Sequence, residues 1–132
     1  MKEIGKGNVT RYCKPSALDE NGSPVSSAFQ RRPDRNEGYL SVYLLDYFDN
    51  IEQSEDIFQV KKTMEKNRFN LKKSAVFAVL NVEQSKKHIM EEISEKISYK
   101  ALNLPHSGIF HEYDDLVISE LLAECVQTMY SV

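Results

Sequence analysis

The chain has 132 residues, a formal net charge of -3 and ordinary shares of apolar (41%) and charged (28%) residues. These values fit one globular domain and argue against a generic nucleic-acid coat, while leaving room for a local basic site. Two cysteines, Cys13 and Cys125, make neither a disulfide framework nor a metal motif, and the longest apolar run is too short to span a bilayer. Residues 1–10 have no apolar signal region, so a reduced, cytoplasmic location is the expectation, with no membrane contact.

Val9 and Tyr12 favour a short strand over 9–13, with Arg11 inside it. An arginine there must face solvent or find a partner, because a buried unpaired charge is costly. Residues 14–38 form a long polar loop marked by Asn21-Gly22, Ser23-Pro24 and Pro33-Asp34. Three arginines, Arg31, Arg32 and Arg35, close it.

The apolar run 40–48 suits a buried strand or a helix. Ser41 in a capping position, with Leu44 and Leu45 after it, favours a helix over 42–48. Ser54 then reads as the cap of a second helix, whose apolar face is Ile57, Val60 and Met64 and whose stop is Asn67. Residues 61–73 carry six cations against Glu65 alone, and a solvated face is the simplest account of them.

Residues 74–82 are continuously apolar apart from Ser74 and Asn81, which predicts a central strand covered on both faces. Ser85 opens a helix with Ile89, Met90, Ile93 and Ile97 on one stripe. A short strand over 99–102 follows, then a loop over 105–112 holding His106 and His111. Asp114 caps a last helix, whose apolar positions run from Ile118 through Leu121, Leu122, Cys125 and Val126 to Met129. The expected fold is a single α+β domain over 1–132, a small sheet backed by amphipathic helices.

No phosphate loop, dinucleotide fingerprint, zinc motif or nucleophile elbow occurs, so no cofactor or metal is expected. Arginine presents a planar fork of donors that matches phosphate and carboxylate. Arg31, Arg32 and Arg35, leading into a helix that starts at Ser41, would therefore make an anion site, with Arg11 as a fourth contributor. The first expectation is a binding or accessory module for a phosphate-bearing or acidic ligand, which includes an acidic protein partner. A second is a small enzyme acting on an RNA or nucleotide phosphate, with His106 as acid or base. It requires His106 to converge with the arginines. A third is an interaction subunit, such as a homodimer, using the last helix. Nucleic acid has thin support, since no recognition helix or RNA-binding signature accompanies the cations.

Overall fold

The computed structural model describes residues 1–32 and 38–132. Among the described residues, seven strands, β1 (Glu3–Ile4), β2 (Asn8–Cys13), β3 (Leu40–Leu44), β4 (Val76–Asn81), β5 (Ser98–Asn103), β6 (His106–Phe110) and β7 (Thr128–Ser131), form one sheet. Their order is β1-β5-β6-β3-β2-β4-β7, and every pair is antiparallel. Helices α1 (Gln53–Lys66), α2 (Val82–Ile93) and α3 (Asp115–Glu124) complete an α+β domain.

The apolar run at 74–82 becomes β4 because both of its faces are covered. Phe77 and Val79 pack with Ile57, Val60 and Met64 of α1. On the other face, Ala78 and Leu80 share a cluster with Ile89 of α2 and with Ile118 and Leu122 of α3. All four of these β4 side chains are fully buried. A strand enclosed on both sides has no polar face, so its sequence shows no alternation.

The run 40–48 departs from the helix expected there. It forms β3 and then a 3-10 turn, Leu45–Tyr47. β3 sits between β2 and β6: β6 pairs along Leu40–Tyr43, β2 reaches Tyr43 and Leu44, and the Ser41 carbonyl accepts from Arg11. Leu40 and Val42 point into the main core, and Tyr43 is buried on the opposite face. Ser41 is a mid-strand residue paired with Gly108 and caps nothing.

The loop expected at 105–112 is also a strand, β6. Histidine, serine and glycine are weak strand formers, but pairing with β3 and β5 overrides that preference. Gly108 serves a packing purpose: a Cβ there would lie 2.9 Å from the Tyr39 ring. Its bare backbone leaves room for the Tyr39 ring.

The helix starts differ in detail. Glu52 precedes α1 without a side-chain cap, so Ser54 lies inside the helix. α2 begins at Val82, where the Asn81 side chain accepts the Gln84 amide. Ser85 is buried within α2 and bonds the Tyr99 hydroxyl at 2.7 Å. Asp114 does cap α3, accepting from the amides of Leu116 and Val117. That helix stops at Glu124, so Val126 and Met129 fall outside it and Met129 lies in β7. The stretch 14–32 holds two 3-10 turns, Pro15–Ala17 and Ser26–Phe29, which bury Ala17, Ala28 and Phe29 in the main core.

Candidate functional site

The site lies where two central strands part. β2 pairs with β3 only at Val9–Leu44 and Thr10–Tyr43. Its ladder with β4 continues to Cys13–Val76. Beyond Thr10 a fork therefore opens between β2 and β3, and Arg11 stands in it. The Arg11 guanidinium donates to the Ala28 carbonyl through Nε and to the Ser41 carbonyl at 2.7 Å through Nη1. It joins the turn Ser26–Phe29 to β3 at the point where the β2–β3 ladder stops.

Over this fork is a cleft of about 410 Å³. Its cationic lining is Arg11, Lys14, Arg31 and Arg32, and its polar lining includes Ser16, Ser27 and Gln30. Among the described residues, no aspartate or glutamate lines it. The structure thus brings together three of the arginines singled out in the sequence and adds Lys14. Arg35 lies outside the described residues.

The cations are not equivalent. Arg31 is held by Asp115 of α3, with Nε at 2.7 Å from Oδ1 and Nη2 at 3.3 Å from Oδ2. Its Nη1 also donates to the His111 carbonyl at 3.0 Å. This forked pairing fixes the end of the 14–32 stretch to the start of α3. Arg32 is exposed and pairs with no acid among the described residues. Lys14, one residue past the end of β2, is likewise exposed.

His111 stands behind this clamp. Its side chain is 3% exposed, and Nε2 lies 3.4 Å from Asp115 Oδ1. Nδ1 is buried with no hydrogen-bond partner among the described residues. Burial, reinforced by the Arg31 charge, holds its pKa below the usual 6.5, and Asp115 and the Tyr113 backbone only partly oppose this. Cys13 also lines the cleft, but burial pushes its thiol up to about 11. It stays protonated at neutral pH and is a poor nucleophile.

His106 and Ser41 belong to a different place. Val9 and Cys13, which flank Arg11 at alternate positions on β2, pack into the main core, as do Leu40 and Val42 on either side of Ser41. Strand alternation therefore sends Ser41 to the opposite face. There its Oγ lies 2.9 Å from His106 Nε2. The imidazole is framed by Tyr43 and Tyr39, with ring centroids 5.5 and 6.0 Å away. Burial lowers the pKa of His106 below 6.5, so the ring is neutral at neutral pH. The arginines and His106 do not converge, and Ser41 contributes its carbonyl to Arg11 rather than a helix start to the cleft.

A smaller hollow of about 230 Å³ contains Asp46, Asp49 and Asp56. Asp46 accepts the Asn8 amide, and Asp56 accepts both the backbone and side-chain amides of Asn50. Those acids brace the turn before α1. Among the described residues, no group of three His, Cys, Asp or Glu is placed to hold a metal ion, and no helix is long and apolar enough to cross a membrane.

Nothing in the sequence marks Lys14 as part of the site, because it sits in a Pro- and Ser-rich turn well before Arg31 and Arg32. Only the β2–β3 fork places it there. Comparison with protein-family models, with curated proteins and with solved structures found no match to this chain.

Proposed function

We propose that this protein is a binding module for an anionic, phosphate-bearing ligand held in the cleft over the β2–β3 fork. The observation that supports this is the cleft lining: four cationic side chains and, among the described residues, no carboxylate. Arg32 and Lys14 are the exposed cations available to a ligand, and Ser16, Ser27 and Gln30 add neutral donors. Arg31, already held by Asp115, presents a guanidinium of fixed orientation. A pre-positioned fork loses less side-chain entropy when it receives a phosphate oxygen. The catalytic alternative is weaker, because its acid–base candidate His106 faces away from the cleft.

The test is a thermal-shift series with inorganic phosphate, pyrophosphate and nucleotides at low and moderate salt. A ligand at a hundredfold excess over its dissociation constant stabilises the fold by about 2.7 kcal/mol. The wild type should show an upward shift that shrinks with salt, and Arg32→Ala should abolish it. No shift with any of these anions would refute the proposal.

A further inference from the structure

The structure also places a second run of cations at the end of the sheet where the cleft lies. β4 starts opposite the end of β2, since Val76 pairs with Cys13. The segment leading into β4 therefore approaches from the same end of the sheet as Lys14. Its position is fixed by a hydrogen bond from the Lys72 amide to the hydroxyl of Tyr12 at 2.9 Å; the Tyr12 ring packs on the α1 face of the sheet, and its neighbours Arg11 and Cys13 line the cleft. Lys66, Arg68, Lys72 and Lys73 are all exposed and, among the described residues, none pairs with an acid. From 66 to 82 the sequence contains no acidic residue at all. The neighbouring end of β7, which pairs Ser131 with Val76, adds no charged side chain. By contrast, residues 101–132 hold five acids, among them the Asp115 that clamps Arg31, and no lysine or arginine.

Two further features mark the segment. Phe69 is 54% exposed among Asn67, Arg68 and Asn70, while its amide is held by the Met64 carbonyl at 3.0 Å. Its ring is offered to solvent from an anchored turn. Arg68 has φ +67°, the left-handed position after a helix that glycine or asparagine normally fills. A cation stands there in spite of the backbone preference.

We infer that the ligand of the cleft is a single-stranded nucleic acid, whose phosphates run from Arg32 past Lys14 onto Lys72 and Lys73 and one of whose bases stacks on Phe69. This rests on the reading of the cleft as an anion site. One phosphate group carries a charge of about -1.5 to -2, fewer than the cations gathered here. A chain of phosphates matches such a track, and an exposed aromatic among cations is the usual platform for an unpaired base. An acidic peptide would use the charge but not the ring.

The experiment uses fluorescence anisotropy with a labelled single strand of about 12 nucleotides, with unlabelled polyglutamate as competitor and with pyrophosphate followed separately by thermal shift. Binding should weaken with salt, with a log–log slope of about -0.7 per phosphate neutralised. Replacing both Lys72 and Lys73 by Ala should reduce the slope by about 1.4, weaken the strand at least tenfold and leave the pyrophosphate shift intact. Phe69→Ala should weaken the strand about tenfold with the slope unchanged. All three residues are exposed, and an unchanged thermal midpoint without ligand verifies the fold. If the strand binds no more tightly than pyrophosphate, if the double variant binds it like wild type, or if polyglutamate competes equally well, the inference fails while the cleft reading stands. If neither pyrophosphate nor the strand binds, both fall.

Discussion

Arg11 holds two segments together at once, and both of its identified acceptors are backbone carbonyls on separate parts of the chain. Truncation would leave the Ala28 and Ser41 carbonyls without this donor in a partly buried site. We expect Arg11→Met, which keeps the aliphatic stem, to lower unfolding stability by about 2 kcal/mol. The urea midpoint with an unchanged slope would report it, and a loss under about 0.5 kcal/mol would mean that water replaces the guanidinium at little cost. At this scale the sequence was informative about chemistry and silent about geometry. It marked Arg11, Arg31 and Arg32 as candidate anion ligands, yet nothing in 132 letters says that Arg31 meets Asp115 eighty-four positions away. Nor could it show that Arg11 would be engaged by carbonyls.

Among the elements, β3 and β6 were the hardest to read, and they explain each other. β3 looks helical because it is buried on both faces and lacks alternation, while its leucines are good helix formers. β6 looks like a loop because it contains Gly108, which is there to accommodate Tyr39. Their pairing satisfies both, and pairing across more than sixty residues leaves no local trace. β4, α1 and the start of α3 were legible because local signals agree with their environment: an unbroken apolar run, an i, i+3, i+7 stripe and a capping aspartate. β7 was masked because Val126 and Met129 continue the spacing of α3 beyond its end. The β3–β6 contact is testable as a unit. Gly108→Ala should destabilise the fold by about 1–3 kcal/mol, because the new methyl meets the base of the Tyr39 ring rather than a flexible tip. In the background of Tyr39→Ala the same change should be tolerated, giving a coupling energy above about 0.5 kcal/mol in a double-mutant cycle. Additive losses would place the strain elsewhere.

For the whole molecule, the two partly buried histidines set a pH dependence. Burial is the main reason that both His106 and His111 sit below the ordinary value of 6.5. In the unfolded chain each takes up a proton near 6.5, while the folded state resists it. Below that pH the unfolded state binds more protons, so stability falls as pH falls. Above the unfolded value the full contribution is present. Urea unfolding at about pH 7.5 and about pH 5.5 should show lower stability at the acid end, with part of the slope removed in His111→Gln. A flat profile between these values would show that both rings protonate freely in the fold. The uneven charge of the chain also resolves at this scale. Lys14 and the segment that carries Lys72 and Lys73 lie at the same end of the β2–β4 pair, although they are distant in sequence.

The strand order carries a consequence for how the chain acquires its fold. β2 lies between β3 and β4, β1 joins β5 across nearly a hundred residues, and β4 is enclosed only once β7 is laid down. Apart from the β5–β6 hairpin, each ladder closes a loop of some twenty-five residues or more before its contacts compensate the lost chain entropy. Such non-local topologies fold on the order of milliseconds to seconds rather than microseconds. The fork between β2 and β3 belongs to the non-local part of this order. The cleft over it is therefore complete only once β2 and β3 have met across that loop.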